Sequence, residues 1–304
     1  MNIFEILTDP MTLSATFRMA SPLILAGVSG AFSRNTGTFN IAFECFMLTG
    51  AFFAAAGSYF FGSPYVGALL SMLVGIILAG VFGCFVFQLK ANPMIISVAL
   101  NSGAWALTTL LLSSIFGVRG RFLDPGIINY SPIHFAFLEK IPYLDKIFND
   151  QLGIVYFAYI MAIVGYIVMY KTPFGLRLRG IGINPLAAQT AGVNIAFYRW
   201  VTLFIMGMFS GLAGSYMPLS GLSMFSENMT SGRGFLAFAA ILVGKCNPLK
   251  VVLVCLLFAY ADALTLTLTY YGLPTQILSA LPYFAVIIVV FVSSLRTFKG
   301  TAEI

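Results

Sequence analysis

Residues 45–89, CFMLTGAFFAAAGSYFFGSPYVGALLSMLVGIILAGVFGCFVFQL, run for 45 positions without one Asp, Glu, Lys, Arg or His. About 20 apolar residues carry an α-helix across the roughly 30 Å hydrocarbon layer of a bilayer. The stretch is long enough for two crossings, and Gly62-Ser63-Pro64 supplies the turn between them. Its apolar character is continuous, whereas a membrane β-strand would alternate lipid-facing and lumen-facing residues. The stretch therefore reads as two membrane helices.

The same pattern recurs along the chain. Charge-free windows cover Ala91 to Val118, Gln151 to Tyr170, Trp200 to Ser226 and Ala263 to Leu295, with shorter apolar stretches at 11–32 and 249–262. Of the 304 residues, 60% are hydrophobic and 9% charged, against roughly 25% charged in a soluble domain. A soluble enzyme, a nucleic-acid-binding domain and a disordered linker are excluded together. The expectation is an all-α integral membrane protein of about eight to ten transmembrane helices. The predicted spans are 11–32, 40–62, 64–89, 94–116, 152–170, 200–220, 234–245, 249–271 and 276–295. The seventh is too short to cross alone, so it reads as a re-entrant or broken helix buried in protein.

Lys and Arg in the short loops set the orientation. Arg34, Lys90, Lys171, Arg177, Arg179, Arg199, Lys245, Lys250, Arg296 and Lys299 fall on one side; Arg18, Arg119, Arg121, Lys140, Lys146 and Arg233 fall on the other. The richer side is assigned to the cytoplasm, which puts the N-terminus outside, the C-terminus inside, loop 117–151 outside and loop 171–199 inside. The net charge of +6 is thus a topology signal and not a sign of nucleic-acid binding. MNIFEILTDP has no basic leader region, so no cleaved signal peptide is expected. Cys45, Cys84, Cys246 and Cys255 sit in or beside spans without CxxC spacing and read as small apolar packing residues.

Chemistry-bearing motifs are scarce. Gly244-Lys245 has Ala239 and Cys246 where a phosphate-binding loop needs Gly and Ser or Thr. No strand precedes Gly180-Ile181-Gly182, His134 stands in a loop beside Pro132, and no nucleophile–base pair stands out. No cofactor is expected in this chain, and work against a gradient would draw on another chain or an ion gradient. Within loop 171–199, Pro173 and Gly175 are expected to stop the preceding span. Asn184 and Pro185 then offer a helix cap and first position, Leu186-Ala187-Ala188-Gln189-Thr190-Ala191 a short helix, and Gly192 its stop. Such a helix suits docking into a groove on a soluble partner; the plainer alternative is a solvated interfacial helix.

These residues carry a resemblance. The run GLRLRGIGINPLAAQTAGVN at 175–194 resembles the coupling loop of ABC-importer permeases, in the branch for nucleosides, simple sugars and branched-chain amino acids. Residues 34–44, RNTGTFNIAFE, followed by MLTGAF at 47–52, resemble an early region of nucleoside permeases, and SGRGFLAFAAILVGKCNP at 231–248 resembles their G-R-G-F segment. Leu186 stands where many such permeases have Glu, and Cys45 where Gly is usual. The resemblance implies a single permease domain over 1–304 with a type II importer-like fold, in a bacterial plasma membrane. It further implies a second, longer permease subunit, a separate cytoplasmic ATPase that binds the ATP, and an extracellular substrate-binding lipoprotein docking on the Phe122–Asn149 side. The implied solute is a nucleoside or a related simple sugar.

A charge at membrane depth is costly and marks a functional candidate. Glu44 lies one turn beyond Asn40 on the second span, and Arg34 offers Glu44 a structural partner. Asn101 and Thr108 share a face of the fourth span, and Asp262 interrupts the eighth, with Thr265 and Thr269 continuing its stripe. Phe39, Phe43 and Trp105 lie near these positions and suit stacking on a base. Together they are the candidate substrate path. For each polar residue the alternative is interhelical hydrogen bonding, worth about 0.6 kcal/mol. The glycines at 75, 80, 83, 207, 211 and 214 permit close helix approach. A secondary transporter using Glu44 and Asp262 for protons or sodium is the competing class.

Overall fold

The computed structural model describes residues 9–136, 139, 141–270, 280, 284, 287 and 291. Among the described residues, seven helices are long and apolar enough to cross a membrane. They are α1 (Pro10–Asn35), α2 (Phe43–Phe61), α3 (Pro64–Gly83, prolonged by a π turn at Cys84–Gln88), α4 (Pro93–Phe116), α6 (Gly153–Lys171), α9 (Ile195–Leu219) and α11 (Pro248–Tyr270). Between them lie α5 (Pro142–Phe148), α7 (Pro173–Ile183), α8 (Pro185–Thr190) and α10 (Arg233–Val243). The span expected at 276–295 falls almost entirely outside the described residues.

Prolines open α1, α3, α4, α5, α7 and α8, where the missing N–H costs nothing because the first turn has no partner for it. Pro22 is different, being buried inside α1. It frees the carbonyl of Arg18 four residues back, and the Ser21 hydroxyl donates to that carbonyl at 2.8 Å. The sequence supplies its own repair, as a chain in a solvent without hydrogen-bonding capacity requires.

Three helices form the centre. The apolar window of α2 is 78% buried, that of α1 67% and that of α9 50%, while those of α3, α4, α6 and α11 lie between 22% and 33%. The outer helices turn Leu69, Leu73 and Ile77, Ile95, Val98 and Leu110, and Ile160, Ile163 and Ile167 outward. In a bilayer no hydrophobic force drives helices together, so close backbone packing has to hold them. A Cβ on Gly50 would strike the Gly211 backbone, and one on Gly207 would strike the carbonyl of Gly75. These contacts clamp α9 against both α2 and α3 through bare backbone.

The segment 171–199 departs from expectation. Pro173 does end α6, but it also opens α7, whose first turn Thr172 caps through its Oγ to the N–H of Gly175 at 3.4 Å. Sequence reasoning took Pro173 and Gly175 only as stops. The segment therefore holds two helices, and α8 begins immediately after Asn184.

The opposite face carries two small antiparallel pairs. Strand β1 (Arg121–Leu123) pairs with β4 (Met224–Ser226), Phe122 facing Phe225, and β2 (Pro132–Ile133) pairs with β3 (Gln151–Leu152). Near the second pair, His134 Nδ1 lies 2.9 Å from Asp150 and Nε2 lies 2.9 Å from Glu139. Hydrogen bonds to Asp150 and then Glu139 raise the imidazole's pKa above its ordinary value. The imidazolium donates to both carboxylates, whereas the neutral ring has one N–H. A raised folded pKa means the bridge is fully present below about pH 6.5 and is lost as pH rises through the raised value. Proteolysis within 134–150 should accelerate on going from about pH 5.5 to about pH 8.5. His134→Ala should remove that dependence; an unchanged pH profile in the variant would show that the bridge does not order this loop.

Candidate functional site

Two breaks in helical structure meet inside the bundle. After α1 ends, residues 36–42 run without regular structure into the protein. Thr36 Oγ1 lies 3.5 Å from Thr202 Oγ1, and Asn40 Nδ2 approaches Met206 Sδ at 3.9 Å. Met206 is mid-way along α9, so the non-helical backbone reaches the middle of the bundle, where only protein can satisfy it. Asn40 Oδ1 accepts from the N–H of Ala42 at 2.7 Å, Ser97 Oγ from that of Ile41 at 3.1 Å, and Asn101 Oδ1 from that of Cys45 at 2.9 Å. Asn101 Nδ2 also donates to the carbonyl of Ile41 at 3.1 Å. The amides proposed for the substrate path thus hold the start of α2.

The second break is the start of α10. Its 11 residues reach only about 16 Å at 1.5 Å per residue. The helix packs one face into the bundle, with Ala237 and Ala240 fully covered, and turns Phe235 and Leu242 outward. Gly232 stands before it with φ +82°, a conformation that favours glycine. Glu44, itself in the first turn of α2 and 7% exposed, receives this helix start. Its Oε1 accepts from the Thr230 hydroxyl and from the N–H of Gly232 at 2.9 Å, and its Oε2 accepts from the N–H of Gly234 at 2.8 Å. A Cβ on Gly234 would strike the Glu44 backbone, so glycine is what lets the two helix starts touch. One carboxylate faces the positive ends of two helices.

Arg34 is not the partner of Glu44. Its guanidinium lies over the Phe39 ring, 5.1 Å from the centroid, while the donors at Thr230, Gly232 and Gly234 occupy the carboxylate. The charge pattern puts Arg233 in a loop of the outer side, yet it is the first residue of α10 and its Nε lies 3.9 Å from Asp262 Oδ2. The Ser231-Gly232-Arg233-Gly234 run therefore links Glu44 and Asp262, its backbone turned to one acid and its side chain to the other.

The remaining path candidates divide. Phe39 and Phe43 both pack on Phe238, at 5.6 Å and 6.2 Å between centroids. Thr108 is buried and returns its hydroxyl to the Ala104 carbonyl at 2.8 Å, and Trp105 is 53% exposed on the outside of α4. Neither joins the Glu44 cluster. Thr265 and Thr269 donate to carbonyls of their own helix, at 3.0 Å and 2.7 Å.

On the face carrying α7 and α8, a cleft of about 870 Å³ brings the two predicted functions together. Thr38 and Phe39 of the re-entrant segment line it with Gln189 of α8, with Gly192 just after that helix, and with Lys90, Arg199 and Trp200. Arg199 donates from Nε to the Thr36 carbonyl at 3.4 Å. Asn184 caps α8 by accepting from the N–H of Ala187 at 3.1 Å, and Gly192 turns the chain at φ +80°. Of α8 itself, Leu186 is 75% exposed and Ala188 9% exposed; Pro185, Ala187, Gln189 and Thr190 are outward as well. A short capped helix thus offers one face outward and packs the other toward α7, sharing a cleft with the backbone segment that leads to Glu44.

A family model described as the permease component of the branched-chain amino acid transport system matches residues 12–291. The chain belongs to that family. Among its permease relatives, the guanosine ABC transporter permease protein NupQ of Bacillus subtilis is 32% identical over 88% of this chain and 84% of its own length. The nucleoside ABC transporter permease protein NupC of Lactococcus lactis is 31% identical over 95% and 92%. A solved ABC transporter in an inward-facing conformation matches the permease with a TM-score of 0.51 at 18% identity, covering 93% of this chain and 85% of that one. This likeness establishes the fold, a mostly helical ABC-permease architecture, and the chain is a multi-pass membrane protein.

Sequence reasoning missed Thr230, Ser97 and the pairing of Arg233. Thr230 and Ser97 are single hydroxyls without a motif, and the Glu44 contacts join residues 186 to 190 positions apart. The signal for Arg233 was its place between two glycines in the most distinctive motif of the chain.

Proposed function

We propose that the chain is one permease subunit of an ATP-driven importer that moves nucleosides across a bacterial plasma membrane by alternating access. The observation that carries the reading is the shared cleft: the exposed helix α8 and the re-entrant segment leading to Glu44 line the same space. A cytoplasmic ATPase would dock on the outward face of α8, with Asn184, Pro185, Leu186, Ala187, Gln189 and Thr190 around the contact and Ala188 and Gly192 shaping the helix. Its closure on ATP would displace α8, press on residues 36–40 through Arg199 and Thr36, and shift the start of α2 against α10. No covalent chemistry falls to this chain, and the ATP belongs to the partner.

A second permease, of a different and longer kind, would complete the path, and a substrate-binding lipoprotein would deliver solute to the face with the β pairs. The excess of Lys and Arg on the α7–α8 side supports an outer N-terminus and a cytoplasmic C-terminus. The nucleoside class is supported by the relatives NupQ and NupC. The ion-driven alternative asks Glu44 and Asp262 to bind protons or sodium, yet the two oxygens of Glu44 already accept three donors.

Uptake into proteoliposomes containing both permeases and the ATPase, supplied with the binding protein, tests the reading. Radiolabelled nucleoside should accumulate only with ATP, and an uncoupler should leave the rate intact. Uptake without ATP that collapses with the uncoupler would refute it.

A further inference from the structure

On the face with the β pairs, Met19 and Pro22 of α1, the end of α9 and the 220–232 segment enclose a cavity of about 390 Å³. Tyr216, Asn228, Ser231 and Arg233 line it. The segment that walls it is held from both sides. Glu227 accepts from the N–H of Gly120 through Oε1 at 2.8 Å and donates its own N–H to the Gly120 carbonyl at 2.8 Å, while Glu44 holds the far end at Gly232. The cavity therefore ends at a helix start whose position is fixed, with the Arg233 side chain at its wall.

The Arg233–Asp262 pair is loose. Its 3.9 Å separation exceeds the about 2.7–2.9 Å of a formed charge-assisted hydrogen bond. Asp262 steers the guanidinium without closing on it. A guanidinium carries five N–H donors in a planar fork. With the side chain 30% exposed, donors of that fork can address the cavity. A planar fork matches two adjacent acceptors on one edge, as on O6 and N7 of a 6-oxopurine. Adenine sets an N–H donor beside N7 and meets the fork donor against donor. The Tyr216 ring on the same cavity adds a surface on which a base can stack.

We propose that Arg233 binds the nucleobase edge in this outer cavity, selecting bases with two adjacent acceptors, and that Asp262 is its positioning residue. The proposal rests on the nucleoside reading above and names its site in this subunit. Guanosine and 7-deazaguanosine, which differ in the N7 acceptor, separate the possibilities. In proteoliposomes with the complete importer, the wild-type KM for 7-deazaguanosine should exceed that for guanosine by ~10-fold. The binding protein is common to all samples, so its own preference cancels between variant and wild type.

Arg233→Gln should bring the ratio of the two KM values close to that of the binding protein alone, and Arg233→Lys should do the same because it keeps the charge and loses the fork. Asp262→Asn should reduce the ratio less. Co-purification of the subunits verifies assembly, and Arg233→Lys is read if the glutamine variant does not assemble. A wild-type ratio retained in either variant, or no discrimination by the wild type, would overturn the proposal while leaving nucleoside import standing. A wild-type importer that carries no nucleoside would remove both.

Discussion

Replacing Glu44 with alanine should cost the protein on the order of 5 kcal/mol and prevent its accumulation in the membrane. The magnitude follows from three donors, the Thr230 hydroxyl and the N–H groups of Gly232 and Gly234, that all terminate on this one buried carboxylate. A buried donor left unmatched costs about 1–3 kcal/mol, and no water at that depth takes the place of the lost oxygen atoms. The positive ends of α2 and α10 would also be left facing each other. Glu44→Gln should be milder, costing about 2 kcal/mol. Its single carbonyl oxygen still accepts, while its amide N–H₂ meets a glycine N–H. The measurement is thermal unfolding of the detergent-solubilised chain, with membrane abundance alongside. A Glu44→Ala chain that accumulates and melts like wild type would show that α10 is held in place by packing alone.

The second large effect is expected at α8. Leu186→Asp should abolish ATP-dependent uptake, a loss of at least about 10-fold, without changing the thermal stability of the isolated chain. Leu186 is 75% exposed and touches little of its own protein, so a charge there meets a partner and not a core. Ala188→Arg should also abolish uptake, but by a different route. At 9% exposure its methyl faces inward, and a long side chain there would lift α8 off α7 and destabilise the chain itself. Measuring uptake and melting together separates the two. Normal uptake by Leu186→Asp would take the coupling role away from this helix.

What could be read from the amino acids depended on how local each cause is. Helix-length apolar windows are local, and α2, α3, α4 and α6 follow from them within a few residues. The Asn184 cap, Pro185 start and Gly192 stop of α8 are equally local. Pro173 misled because proline both ends one helix and begins another, and only the Thr172 side chain, turned to the Gly175 N–H, shows which follows. The pairing of β1 with β4 joins two three-residue strands separated by five helices, a contact without a local pattern. Glu44 illustrates the limit most clearly. Its charge at depth marked it, and charge alone pointed to Arg34. The real partners are a hydroxyl and two backbone N–H groups, and backbone groups are the same at every non-proline position, so nothing in their residue types announces an acceptor elsewhere.

The central position of α1 bears on how the chain is made. This helix is the least lipid-like of the central elements: Thr12, Ser14, Thr16, Ser21, Ser29 and Ser33 are all buried. Some of its partners arrive very late in synthesis. Thr12 meets Thr267, 255 residues onward, at 3.1 Å, and Asn35 donates to the Cys246 carbonyl, 211 residues onward, at 3.1 Å. A ribosome releases α1 into the insertion machinery long before α11 exists to cover it. Until then Thr16 and Ser29 bond their own backbone, to the carbonyls of Thr12 and Leu25 at 2.8 Å and 2.7 Å. Those bonds within one turn make α1 tolerable before α11 arrives, and they let a centrepiece of the finished bundle be delivered early and enclosed late.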